Sequence, residues 1–288
     1  MNTAYTLVDG SGFIHRAFHA FPPLTDDKNR PIGALYGFAR LLLPLLMQVG
    51  RNALHVFFDA GRQTFRHKLY PAYKAHRAET PADLAFQFPL VRQFCAAFGV
   101  SYYEHPDFEA DDLIASFSAQ IPIPPQTCTI VSVDKDLLQL LSPAISVYDP
   151  IKKVSVAPEH VMGKYGVFPK QMIDFQALVG DQSDGVPGIP GIGPKTAASL
   201  LQAYQSLEGI YAHLHEISSQ NIREKISANK ELAVLSRTLV TLRRDVSIFP
   251  DKSPRPFDQD EARDFLEGFS FHSLTPFLDR LVRKLSAA

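Results

Sequence analysis

The chain reads as an α/β protein, a mostly parallel sheet flanked by helices and followed by a helical module. Three observations carry that reading. Short runs rich in β-branched and aromatic residues, TLV (6–8), LHVFF (54–58) and TIVSV (129–133), have the continuous apolar character of strands buried on both faces. Segments with helical spacing of apolar residues, 33–48, 84–98 and 110–119, lie between them. Alternation of this kind implies crossover connections and parallel pairing. Beyond about residue 158 the strand signal fades into short helices broken by Gly and Pro.

In order along the chain, the first strand ends at Asp9. The run LYGFARLLLPLLMQV (35–49) carries Arg40 and Pro44 and is shorter than the roughly 20 residues of a membrane span, so it predicts a buried helix bent at Pro44. The second strand ends at Asp59. The acidic stretch EADD (109–112) precedes the apolar helical run LIASF, IPIPPQ (121–126) reads as a loop, and the third strand runs into Asp134 and Asp136. ISVYD (145–149) predicts a further strand. The expected division is an α/β body over 1–158 and a helical region over 159–288.

Length and composition agree with this. The 288 residues are 45% hydrophobic, enough for a sizeable core. The start, MNTAYTLVDG, lacks the basic and apolar regions of a signal peptide. Cys95 and Cys128 show no CxxC pattern, which argues against a disulfide framework or zinc knuckle and for a reducing, cytoplasmic setting. His15 and His19 have an i, i+4 spacing, but no Glu of an HExxH motif accompanies them, and they read as structural.

The acids are the informative residues. Asp9, Asp59, Asp134 and Asp136 follow strands, at the edge where open α/β sheets bind ligands. A single acid there is commonly a helix N-cap, and EADD suits the first turn of a helix. Convergence of three strand ends, an acid triplet and the Asp181/Asp184 pair is a stronger pattern than those local roles explain. Nine carboxylates at close quarters repel unless cations lie between them. Oxygen-only donors suit hard ions such as Mg²⁺ or Mn²⁺. Two such ions about 3.5–4 Å apart can stabilise both the attacking and the leaving oxygen of a phosphodiester. The net charge of −1 disfavours a polyanionic partner, but with those nine acids set aside the remainder is basic.

The ordered segments VDGSGFIHRAFHAFPPLT, FFDAGRQTFRHKLYPAYKAHR, EADD, VSVDKD and GDQSDGVPGIPGIGPKTAASLL resemble the 5′-nuclease (flap endonuclease) family, nearest to the 5′→3′ exonuclease domain of bacterial DNA polymerase I. The likeness is colinear from about residue 5 to the end and includes LSRTLVTLRRDV (235–246). It implies a PIN-like or resolvase-like nuclease body with a helical arch over about 65–90, then a helix-hairpin-helix over about 185–202 and C-terminal helices.

The resemblance also implies roles. Asp9, Asp59, Glu109, Asp111, Asp112, Asp134, Asp136, Asp181 and Asp184 match the family's cluster for two divalent ions. Lys74 and Arg77, three apart and so on one helix face, match stabilisers of transition-state charge. Tyr73 matches a base-stacking position, and Arg16 and Arg66 are phosphate-contact candidates. GVPGIPGIGPKTA is not a P-loop. Its Gly188, Gly191 and Gly193 would let backbone N–H groups approach a phosphate, with Lys195 and Thr196 beside the duplex and K⁺ at the hairpin. Gly185 stands where the family usually has Asn, and HRAETPADL departs from the more proline-rich usual arch.

The implied substrate is DNA with a 5′ flap, nick or 5′ end, or an RNA primer in a hybrid. The implied protein is a bacterial cytoplasmic monomer without membrane contact, fused to or working beside a DNA polymerase in primer removal and repair. A PIN-like ribonuclease or a haloacid dehalogenase-type phosphatase would also place acids at strand ends. Neither explains the hairpin, and VDG lacks the DxDx[TV] pair of the phosphatase. A non-catalytic DNA-binding module would explain the hairpin and leave the acids without a purpose.

Overall fold

The computed structural model describes residues 3–20, 23–61, 63–121, 127–248 and 256–286. Residues 122–126, most of the expected IPIPPQ loop, lie outside them. Six strands form one sheet, β1 (Thr3–Asp9), β2 (Leu54–Asp59), β3 (Ser101–His105), β4 (Thr127–Val131), β5 (Ile145–Asp149) and β6 (Val154–Val156), in the order β3-β2-β1-β4-β5-β6. Neighbours are parallel except β5 and β6. β2 lies on one side of β1 and β4 on the other, so the winding reverses between β1 and β4. That reversal opens a crevice at the carboxyl edge.

Alternation along the strands gives the sheet two cores. Leu7, Phe57, Ile130 and Val147 face one way, and Val8, Val56, Phe58 and Val131 the other. The first core continues into the helical module through Val167, Met172, Leu178, Ile189, Ile192, Leu201 and Ile226. The second takes in the helix Gly33–Val49 and, from the C-terminal helices Gln259–Gly268 and Thr275–Ser286, Ala262, Leu266, Leu278 and Leu281. The C-terminal helices thus pack on the face of the body opposite the module.

Four elements differ from expectation, two strands and two helices. β3, SYYEH, lacks an apolar run because it is a half-buried edge strand carrying Glu104 and His105. β4 ends at Val131, so Ser132 and Val133 leave the sheet and Asp134 stands beyond its edge. The helix Gly10–Ala20 opens on glycines that disfavour helix, yet a Cβ at Gly10 would come within 2.4 Å of the Phe58 ring. The helix Gly33–Val49 runs continuously through Pro44.

A strap formed by residues 239–246 ties the module to the body. Gln139 donates to the Val240 carbonyl and accepts from the Leu242 N–H, and the Ser116 hydroxyl donates to the Arg243 carbonyl and accepts from the Val246 N–H. Among the described residues, no helix is long and apolar enough to cross a membrane.

Candidate metal centre

Local hydrogen bonds set the acids that face the crevice. The Gly12 N–H donates to Asp9 Oδ1 at 2.7 Å, and the Ser132 hydroxyl donates to Asp9 Oδ2 at 2.8 Å, so β1 and β4 share one carboxylate. Gly12 is required here, since a Cβ would lie 2.2 Å from Asp9 Oδ2. The same Ser132 hydroxyl accepts from the Asp134 N–H, and Asp134 Oδ1 accepts from the Asp136 N–H. Asp59 accepts from the Ala110 N–H and Asp136 from Gln176. Asp136, Asp181 and Asp184 present carboxylate oxygens within 4.8 Å of one another.

The cluster divides by charge. Lys74 Nζ lies 2.5 Å from Glu109 and 3.4 Å from Asp184, Arg77 pairs with Asp184 at 2.6 Å, and Lys135 with Asp181 at 2.8 Å. Burial opposes charge on Glu109 and Asp184, yet Lys74 with Arg66 holds Glu109, and Lys74 with Arg77 holds Asp184, below the ordinary carboxyl range. Burial also opposes the Lys74 charge, and Glu109 and then Asp184 outweigh it and push its pKa up. Asp9, Asp59, Asp111, Asp134 and Asp136 have no cation paired with them among the described residues. Burial, and then mutual repulsion, raises Asp9 to about 6 and Asp136 to about 7, and raises Asp111 and Asp134 as well. Uncompensated, oxygen-only negative charge remains on the β1/β4 side.

Several expected roles change. Asp112 is fully buried, and both its oxygens accept from Arg66, at 2.6 and 2.8 Å, with the Glu109 and Arg243 N–H groups donating as well. It is the anchor of a buried ion pair and closes the capping box of the helix Ala110–Gln120, with no face left for an ion. Arg66 is 1% exposed and also donates to the carbonyls of Leu239 and Thr241, so it presents no nitrogen to a phosphate. Tyr73 is 3% exposed, packs with Val186, Leu239 and Val240, and its hydroxyl donates towards Glu109 and Asp184; its ring is not open for stacking.

Lys74 and Arg77 share no helix face. Between residues 65 and 86 helix is confined to Phe65–Leu69 and Ala82–Ala85, a further helix starting at Gln87, and residues 71–76 form turns with Lys74 at φ +53°. That turn docks on the approach to the hairpin, where the Lys74 N–H donates to the Asp184 carbonyl at 2.8 Å. Gly185, at φ +69°, is what lets it dock, because a Cβ would lie 2.8 Å from the Ala72 carbonyl oxygen. The acids are therefore coupled to the hairpin through the basic turn.

The hairpin joins the helices Met172–Val179 and Pro194–Tyr204. Gly188 is structural. Its N–H donates to the Ser236 hydroxyl, and a Cβ would meet the Gly180 nitrogen at 2.3 Å. Gly191 and Gly193 are exposed, and their N–H groups have no partner among the described residues. Lys195 is exposed and Thr196 half-buried in the first turn of the second helix. Gly188→Ala, strained at φ +62° as well as crowded by backbone, is expected to lower stability by about 2 kcal/mol or more. Chemical denaturation checks this.

A cleft of about 700 Å³ opens above the acids, lined by Asp9, Asp134, Asp136, Asp181 and Asp184 with His15, Arg16, His19, Arg77, Lys135, Lys164 and Tyr165. His15 and His19 stand exposed at its mouth, beside Arg16. Lys135, displayed between two acids in VSVDKD, was not among the expected site residues. Nor were Ser132, Gln176 and Lys164, whose contacts form only on folding.

Residues 4–166 match the family model for the 5′-3′ exonuclease N-terminal resolvase-like domain, and residues 167–260 that for the 5′-3′ exonuclease C-terminal SAM fold. The chain is 46% identical over 280 residues to DNA polymerase I of Rhizobium leguminosarum, covering 93% of this chain and 28% of that protein, and so spans under a third of that relative's length. It is 38% identical over 290 residues to a 5′-3′ exonuclease of Aquifex aeolicus, covering 99% and 98%. The fold is that of a bacteriophage T5 flap endonuclease solved in a pseudo-enzyme-product complex with DNA and metal ions, with a TM-score of 0.69, 19% identity and coverage of 97% and 98%. The chain belongs to the 5′-3′ exonuclease family, its resolvase-like half supplying most of the acids and its SAM-fold half the hairpin.

Proposed function

We propose that this chain is a structure-specific 5′ nuclease that binds DNA at a 5′ flap, nick or 5′ end and hydrolyses a phosphodiester bond near the junction. The observation that carries the reading is the divided cluster: carboxylates paired with Lys and Arg on one side, and carboxylates with no paired cation among the described residues on the other, at the switch-point edge. The donor set fits hard divalent ions, Mg²⁺ or Mn²⁺. Asp136, Asp181 and Asp184 are grouped closely enough to share one. Asp9, Asp111 and Asp134, with Asp59 beside them, are the residues for a second. Bound divalent ions supply charge neutralisation at the attacking and leaving oxygens.

The chain's own groups do the rest. Lys74 and Arg77 carry positive charge at the cluster, placed to stabilise charge that develops on the scissile phosphate. The exposed N–H groups of Gly191 and Gly193, the helix N-terminus behind them and Lys195 suit duplex phosphates. K⁺ at the hairpin, action on RNA primers, work beside a polymerase and a monomeric state rest on the resemblance alone. Because the basic turn docks on the hairpin's approach, the distance from grip to cut is fixed by the fold.

Cleavage of a 5′-labelled flap duplex tests this. One cut near the junction is expected in Mg²⁺ and none in EDTA. Binding without cutting in either Mg²⁺ or Mn²⁺ would favour a non-catalytic DNA-binding module.

Metal and pH are linked through the open carboxylates. Their folded-state pKa values are raised, to about 6 for Asp9 and 7 for Asp136, so their contribution to stability is complete below their unfolded values and is lost as pH rises through 6 to 7. Mg²⁺ relieves the repulsion above that window. Saturating Mg²⁺ is expected to raise Tm on the order of 5 °C at pH 8 and to change it little at pH 5, checked by calorimetry.

A further inference from the structure

The cleft above the acids has walls from opposite faces of the sheet. One is the helix Gly10–Ala20, seated by Phe13, Ile14 and Ala17 in the core shared with the C-terminal helices, which brings Arg16 to the cleft. The other is the helix Pro158–Tyr165, seated by Val161 in the opposite core, which brings Lys164 and Tyr165. Cations close to the acids are occupied, Lys74 and Arg77 on Asp184 and Lys135 on Asp181. Lys164 is not. Among the described residues it makes no ion pair, and its Nζ lies over the Tyr165 ring, 4.9 Å from the centroid. That ring is held in turn, edge-on against Phe175 at 5.8 Å.

A lysine in the last turn of a helix is favoured by the helix dipole, which accounts for its charge and not for its place in the cleft lining. An exposed ammonium beside a floor of carboxylates would gain by folding onto them, as Lys135 does on Asp181. Held over an aromatic ring at the lip, it stays available to an incoming anion. Arg16 occupies the corresponding place on the other wall, exposed and without an ion pair among the described residues.

We propose that Lys164 is a phosphate-binding residue of the substrate path, gripping the nucleic-acid backbone from the wall opposite Arg16. The strand crosses the acidic floor between two cations, each offsetting the repulsion that the floor exerts on phosphates at its own lip. Lys164 is then a positioning residue that acts through the substrate, and the helix Pro158–Tyr165 is part of the binding surface. The inference rests on the nuclease reading above, since it needs a polyanionic substrate in this cleft.

The test is the affinity of the full chain for a fluorescent 5′-flap duplex in Ca²⁺, measured over a series of salt concentrations. Lys164→Ala is expected to weaken binding roughly fivefold and to reduce the slope of log K against log [salt] by about one phosphate contact. Lys164→Arg should keep both values near the parent's, which a purely structural role for the lysine would not require. Parent-like affinity and slope for Lys164→Ala, in an assay where Lys195→Ala binds more weakly, would overturn the inference and leave the nuclease reading intact. No binding of the duplex by the parent would overturn both.

Discussion

Asp134→Ala is expected to abolish cleavage, by at least about 10³-fold in single-turnover rate, while DNA binding stays measurable. Asp134 stands beyond β4, lines the cleft with its carboxylate crowded among the other acids, and has no paired cation among the described residues. Its Oδ1 accepts one hydrogen bond, from the Asp136 N–H, so little of the fold depends on it. Its charge raises the pKa values of Asp9, Asp111 and Asp136, so its loss should ease repulsion in the metal-free protein. Metal-free Tm is therefore expected to hold or rise as activity disappears. That combination separates a ligand from a structural residue, and lost DNA binding with intact metal affinity would refute the assignment.

Arg66→Ala is expected to have the largest effect on stability, a loss of about 3–5 kcal/mol, because it leaves the fully buried Asp112 charge unpaired. Arg66 donates to Asp112 and Glu109 and to the Leu239 and Thr241 carbonyls, so it joins the acidic helix, the carboxylate cluster and the strap in one network. Urea unfolding checks the value. Replacing both partners together, Arg66→Met with Asp112→Leu, should cost less than either single change, because no orphaned charge remains. A single-variant loss under about 1 kcal/mol would show that the pair is solvated and that Asp112 is open to an ion after all.

Much of this was legible in the sequence for a definite reason. A buried parallel strand must be an apolar run, so TLV, LHVFF and TIVSV announced the sheet, and the acids that ended them announced the edge where ligands bind. The hairpin was legible because only glycine tolerates the positive φ and close backbone approach at Gly188. The acids' partners were not legible. Lys74 meets Glu109 across 35 residues, Arg66 meets Asp112 across 46 and Arg77 meets Asp184 across 107, and no local pattern encodes such pairs. Spacing misled at Lys74 and Arg77. Three apart implies one helix face only in a helix, and the left-handed Lys74 holds that stretch in turns. Asp112 and Arg66 looked functional because the sequence does not reveal which of two adjacent acids points inward.

The most direct test of the central claim, that the carboxylate cluster at the sheet edge is a two-ion divalent site, is a count of bound Mn²⁺ by electron paramagnetic resonance at pH 8 for the parent and Asp134→Ala. The account predicts two ions per chain in the parent and fewer in the variant. No tight ion in the parent, or the same number in both proteins, would contradict it.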